Sequence, residues 1–153
     1  MTPCPWPIEE LLPHAAPMIL IDRLVSFSRE QGLAEVTLRA DHPFASPDGA
    51  PAHLGIELMA QTCGAMTGAW SKSEETPVRV GFLLGTRNFE AKRPFLPLGA
   101  RLHVAVTLFV RDAEMAVFDC SIAEGDELLA EARLNLYQPG SDEAVRSILT
   151  RET

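Results

Sequence analysis

The chain is short of several things, and each shortage closes off a class of explanation. No apolar run approaches the roughly 18 to 20 residues that a membrane-spanning helix needs. The opening residues, MTPCPWPIEELLPH, lack a basic region followed by an apolar one, so no secretory signal and a cytoplasmic location are expected. Basic residues are scarce, with 13 Lys and Arg against 21 Asp and Glu and a net charge of −8. That balance argues against nucleic acid as a partner, because phosphates call for a basic surface. Cysteines number three, Cys4, Cys63 and Cys120, with no C-x-x-C pair. An odd count without pairing motifs suits free, buried thiols in a reducing compartment. Cys63 alone sits where a nucleophile would be useful. There is no internal repeat and no low-complexity tract.

What is present is an ordinary globular composition, 46% hydrophobic and 22% charged over 153 residues. This predicts one domain over 1–153, with an irregular lead-in at 1–10 and a tail at 139–153. The stretch the rest is organised around is 51–70, PAHLGIELMAQTCGAMTGAW. It reads as a helix opened by Pro51 and apolar almost all round. One carboxylate, Glu57, lies in its middle, with His53 four residues before it and Gln61 four after. Residues at i and i+4 share a helix face, so the three form a polar stripe on a helix that belongs in a core. A carboxylate buried there is costly unless it is paired or hydrogen-bonded. The many small residues, Gly55, Ala60, Gly64, Ala65, Gly68 and Ala69, lower helix propensity and point to close approach by a sheet or another backbone.

Before this helix, 8–14 predicts a short helical turn ended by Pro13. The segment 17–28 reads as a strand, and a turn at Gln31 and Gly32 leads to a second strand over 33–40 that pairs with it as a hairpin. His14 fits a structural role at a turn. Residues 41–51, DHPFASPDGAP, form a loop with Phe44 as its apolar anchor. After the helix come a polar loop at 71–77, a strand over 78–94 that turns irregular near Gly85, and an antiparallel meander over 101–111, 114–124 and 127–138. His103 is expected on the solvent face of that meander. Ser141 and Asp142 could cap a short helix in the tail. One apolar helix with one antiparallel sheet makes an α+β architecture in which the sheet wraps the helix.

These segments resemble, in order, those of the hot-dog fold, specifically the FabA/FabZ-type 3-hydroxyacyl-(acyl-carrier-protein) dehydratases. Four stretches carry the resemblance: LLPHAAPMILIDRLV (11–25), DHPFASPDGAP (41–51), GIELMAQTCGA (55–65) and NFEAKRPFLPLGARL (88–102). The wording around Glu57 is closer still to predicted dehydratases associated with aryl polyene pigment synthesis. The resemblance implies a homodimer, or an oligomer of dimers, in which two long helices are clasped by a joined sheet. A heterodimer with another hot-dog subunit is the variant of this. The His loop of one subunit would meet the helix Glu of the other, and an acyl carrier protein would deliver the substrate.

Dehydration of a 3-hydroxyacyl thioester needs a base at C2, an acid at the C3 hydroxyl and a hydrogen-bond donor for the thioester oxygen. A neutral imidazole and a carboxyl group suffice for the first two, with no metal or redox cofactor required. The N–H groups at the helix N-terminus, near Ala52 and His53, supply the third. Glu57 is the expected carboxyl group. His42 and His53 compete for the imidazole role. His42 lies fifteen positions before Glu57 in a His-Pro-Phe loop where the family has His-Phe-Pro, and His53 lies one turn from Glu57. Gln61 would orient Glu57 or bind the carrier arm. Phe44, Met59 and Phe82 are expected to line a substrate tunnel, with Met66, Leu83 and Phe95 as further candidates. Lys92 and Arg93, near Arg87 and Arg79, offer a docking patch for an acidic carrier. A hot-dog thioester hydrolase and a catalytically weak partner subunit remain as other readings of the same residues.

Overall fold

A computed structural model describes residues 1–12, 19–76 and 81–138, and of Phe82 the backbone alone. The lead-in forms strand β1 (Thr2–Pro3) and a 3-10 turn at Ile8–Glu10. Strands β2 (Arg23–Phe27) and β3 (Gln31–Thr37) form a hairpin. Ser28 closes its turn, its Oγ accepting the N–H groups of Glu30 at 3.3 Å and Gln31 at 3.0 Å. A short strand β4 (Ala50–Pro51) leads into helix α1 (Leu54–Ser73), followed by β5 (Phe82–Ala91) and β6 (Phe95–Leu96). The meander β7 (Arg101–Asp112), β8 (Met115–Glu124) and β9 (Glu127–Tyr137) completes the described chain. Its two hairpins turn through Ala113 and Gly125, both with positive φ.

The main sheet is antiparallel, in the order β1-β2-β3-β7-β8-β9-β5, and β4 pairs with β6 in a small separate ribbon. Strand residues alternate, so that Ala34, Val36, Leu102, Val104, Val106, Phe118, Ile122 and Leu134 face α1. From the helix, Leu54, Leu58, Met59, Cys63, Met66 and Ala69 enter the same core. Complete burial of a side chain such as Leu58 contributes about 1.5–3 kcal/mol. This is the hot-dog arrangement of a helix wrapped by one curved antiparallel sheet. At 20 residues α1 is about 30 Å long, and no helix among the described residues is long and apolar enough to cross a membrane.

The small residues on the helix work as expected, through close approach. At Gly68 the backbone of Leu11 crosses the helix, and a Cβ there would run into the Leu11 carbonyl oxygen. At Gly64 a Cβ would meet the movable Leu12 Cδ2 at 3.2 Å.

Several boundaries differ from the sequence reading. The helix starts at Leu54, not at Pro51: Pro51 pairs with Phe95, and the Ala52 N–H is taken by the Pro94 carbonyl at 3.0 Å, which keeps the chain extended for longer. The helix also runs on through Ser71, Lys72 and Ser73, which polarity alone assigns to a loop. It ends where Glu75 adopts φ 57°, with the N–H of Glu75 bonded to the Lys72 carbonyl and that of Thr76 to the Ser71 carbonyl. This is a Schellman closure carrying glutamate in glycine's usual place, so the usual stop signal is missing. Gln31 and Gly32 belong to β3, because Ser28 turns the chain three residues earlier. β2 begins at Arg23, since Leu20 leaves the sheet to bond the helix. Strand β5 is irregular near Gly85, as expected, with a register shift between Leu83 and Gly85. Pro13, His14, the start of the 78–94 strand and the tail at 139–153 lie outside the described residues.

Gly68→Ala is expected to lower the melting temperature, because overpacking against backbone costs about 1–3 kcal/mol and exceeds the gain in helix propensity of about 1 kcal/mol. Gly64→Ala should leave it unchanged or raise it. Thermal unfolding followed by circular dichroism compares the two.

Candidate active site

Glu57 lies in the first turns of α1 and is half-buried. One turn on, Gln61 is buried at 2% exposure, and its two ends make different bonds. Its Nε2–H donates to Glu57 Oε1 at 3.3 Å, and its Oε1 accepts the Leu20 N–H at 2.8 Å. The amide thus ties the carboxylate to the backbone of a segment 41 residues away. A buried donor or acceptor without a partner costs about 1–3 kcal/mol, so this bridge satisfies the helix and the extended segment together.

His53 caps the helix N-terminus with no side-chain cap bond and is exposed. It shares a cavity of about 490 Å³ with Glu57, and the other walls are Leu20, Pro43, Phe44, Pro51 and Leu54. These two titratable groups stand in a cavity whose remaining walls are apolar. The loop supplying Phe44 is held by Ser46, whose Oγ donates to the Gly49 carbonyl at 2.8 Å.

His42 is placed elsewhere. It lines a neighbouring, more polar cavity of about 230 Å³ with Asp22, Thr37, Arg39 and Asp41. Leu20 and Pro43 belong to both cavities and form the wall between them. The chain therefore brings His53, Glu57 and Gln61 together but does not bring its own His42 into their cavity. The Nδ1 of His42 accepts the Phe44 N–H at 3.1 Å. In neutral imidazole an accepting Nδ1 leaves the hydrogen on Nε2. That Nε2 is buried and has no hydrogen-bond partner among the described residues.

Of the expected N-terminal donors, Ala52 is a correction: its N–H is engaged by Pro94 and it is buried at 8% exposure. The N–H groups of His53 and Leu54, where the helix begins, take no backbone acceptor among the described residues. Phe44 lines the Glu57 cavity and is 52% exposed. Met59 is fully buried in the core, and Met66 lies against a different cavity near the far end of α1. Phe95 is half-buried beside β4, Leu83 is exposed on β5, and the Phe82 side chain lies outside the described residues, as does Arg79.

Lys92 pairs with Glu90 at 2.9 Å, and Arg93 pairs with Glu127. Arg87 stands opposite Arg133, which is bound to Asp119 and lies over the Phe109 ring. His103 faces Glu35 at 3.5 Å beside Arg23, and that pairing with Arg23 holds the Glu35 carboxyl below its usual range. Cys63 and Cys120 are free thiols whose sulfurs lie 3.8 Å apart in the core, and burial pushes the Cys63 thiol well up, away from nucleophilic use. The residues missed by sequence reasoning are the apolar walls Leu20, Pro43, Pro51 and Leu54. Nothing in the local pattern at Leu20 marks it as a partner of Gln61.

A family model described as ApeP-like, ApeP dehydratase, matches residues 6–148. The 3-hydroxyacyl-[acyl-carrier-protein] dehydratase FabZ of Bartonella quintana is 32% identical over 136 residues, spanning 83% of this chain and 86% of the relative. FabZ of Alkalilimnicola ehrlichii is 32% identical over 130 residues, spanning 80% and 83%. A chain of the dehydratase heterocomplex ApeI:P from Xenorhabdus doucetiae superposes with a TM-score of 0.85 at 30% identity, covering 94% of this chain and 97% of that one.

Gln61→Met removes both bonds at nearly constant volume. It is expected to destabilise the fold by about 1–3 kcal/mol in urea titration, because the Leu20 N–H loses its acceptor. Glu57→Gln, which keeps a hydrogen-bonding side chain at the cavity, should change stability by less than this.

Proposed function

The chain belongs to the ApeP-like dehydratase family, and from that membership we propose that it removes water from 3-hydroxyacyl thioesters carried on an acyl carrier protein, giving trans-2-enoyl thioesters. The observation that carries this reading is Glu57, a half-buried carboxylate aimed by Gln61 into a largely apolar cavity of about 490 Å³. Pockets of that size and lining hold small organic ligands, and an acyl chain fits the class.

Glu57 takes the proton from C2, and its electrons form the C2–C3 double bond as the C3–oxygen bond breaks. His42, from the loop of a second subunit, gives its Nε2 proton to the departing hydroxyl, which leaves as water. Return of the proton from Glu57 to His42 resets the site. This inverts the imidazole-as-base expectation, and the Phe44 N–H on Nδ1 supports the inversion, because it leaves Nε2 as a donor. The N–H groups of His53 and Leu54, at the positive end of the helix dipole, hold the thioester oxygen. The His53 side chain lies at the cavity wall and positions the substrate.

The second subunit is a hot-dog chain that pairs through β5. Among the described residues this strand bonds β9 alone, and Leu83 and Leu84 on it are exposed at 41% and 57%. An unpaired edge with apolar side chains is a template for another strand. An acidic carrier docks on Lys92 and Arg93 by exchanging its carboxylates for Glu90 and Glu127, which makes docking salt-sensitive. The chain acts as a single domain, and its free thiols suit the cytoplasm.

Purified protein is expected to interconvert 3-hydroxyacyl and enoyl thioesters on the carrier. Glu57→Gln should stay folded and lose about 100-fold or more of the rate. His42→Ala should lose a similar factor, and His42→Asn, which restores a donor, should recover part of it. If His53→Ala abolishes turnover while His42→Ala does not, the role assigned to His42 fails. Release of free thiol instead of enoyl product identifies a hydrolase and overturns the proposal. Activity that appears only after mixing with a second hot-dog dehydratase assigns the chain as one half of a heterocomplex, as in the similar ApeI:P chain.

A further inference from the structure

A second cavity, of about 510 Å³, lies near the opposite end of α1 from Glu57. Trp70 on its wall is thirteen residues beyond Glu57, about 20 Å along the helix axis. Met66, Thr67 and Trp70 come from the helix, Leu108 and Arg111 from the end of β7, and Arg29 and Glu30 from the β2–β3 turn. The lining thus combines apolar and aromatic Met66, Leu108 and Trp70 with Thr67, two arginines and one carboxylate, Glu30.

Arg111 is an exposed residue, but its guanidinium is tied to its neighbours. Its Nη1 donates to Gln138 Oε1 at 2.9 Å, Gln138 Nε2–H donates to Thr67 Oγ1 at 3.0 Å, and the Thr67 hydroxyl donates to the Cys63 carbonyl at 3.0 Å. This relay holds the guanidinium through one neutral acceptor, the Gln138 amide oxygen. Burial, and then the charge of Arg29 on the same cavity, pull Arg111 below its ordinary range. Among the described residues neither forms a salt bridge with a carboxylate, Glu30 on the same wall included. Elsewhere Arg23, Lys92, Arg93 and Arg133 each hold a carboxylate. Arg39, Arg87 and Arg101 also form no salt bridge among the described residues, but Arg29 and Arg111 share one cavity in a chain of net charge −8. An anion between them would remove their repulsion, and the guanidinium fork favours carboxylate or phosphate oxygens. Trp70 and Leu108 offer a surface for an apolar body.

We propose that this cavity is a binding site for a small organic anion, a carboxylate or phosphate attached to an aromatic or aliphatic body, separate from the Glu57 cavity. The site lies beyond the dehydration chemistry and stands or falls without it.

Trp70 is its own reporter once Trp6, packed on Phe27, is replaced by Phe. Titrating Trp6→Phe protein with 4-phenylbutyrate, phenyl phosphate and inorganic phosphate should give a saturable emission change with at least one organic anion, and weaker binding of inorganic phosphate. The organic arm that binds more tightly identifies the headgroup. Arg29→Gln, an exposed position, should weaken binding about tenfold, and Arg111→Gln at least as much. Glu57→Gln should leave binding unchanged. No saturable response with either organic anion, or equal binding after Arg29→Gln and Arg111→Gln in variants of native far-ultraviolet spectrum, overturns the proposal. Loss of binding in Glu57→Gln places the ligand in the other cavity and overturns it too.

Discussion

The arrangement depends on one buried amide. A carboxylate in the middle of an otherwise apolar helix must be held by something, and Gln61 holds it. The same side chain accepts the backbone N–H of Leu20, so the segment before β2 and the carboxylate are set by one residue. Leu20 in turn forms part of the wall on which both cavities lean. Remove the amide and three things lose their reference together: the aim of Glu57, the path of the chain before β2, and the partition between the Glu57 and His42 cavities. The helix also lies where Gly68 admits the Leu11 backbone.

Much of this could be read in the sequence, for identifiable reasons. His53, Glu57 and Gln61 are four apart, and helical geometry puts such residues on one face whatever the tertiary context. The meander could be read because short turns at Ala113 and Gly125 separate runs whose alternation persists. Helix ends could not: Pro51 looks like a first helical residue until Phe95 pairs with it, and Glu75 closes the helix in a conformation that its side chain does not advertise. The cavity walls were hidden for a different reason. Leu20, Pro43 and Leu54 are ordinary apolar residues, and only their convergence gives them a role.

Charge shows the same limit. Lys92 and Arg93 are adjacent in the chain and form an obvious basic cluster, but cross-strand and near neighbours supply carboxylates to both. Arg29 and Arg111 are far apart in sequence and conspicuous in neither place, yet the hairpin turn and the end of β7 bring them to one cavity, where neither forms a salt bridge among the described residues. Net charge therefore says little about where an anion would be welcome. The folded arrangement of acids around each base decides that.

The central claim is that Glu57 moves the C2 proton, and its most direct test is isotope exchange. A 3-hydroxyacyl thioester on its carrier protein is incubated in deuterated water with the enzyme, with a second hot-dog subunit added if turnover requires one, and the recovered substrate is weighed by mass spectrometry. Deuterium is expected at C2 with the wild-type chain, through reversible loss and return of water, and none above background with Glu57→Gln. Exchange that persists in Glu57→Gln would contradict it.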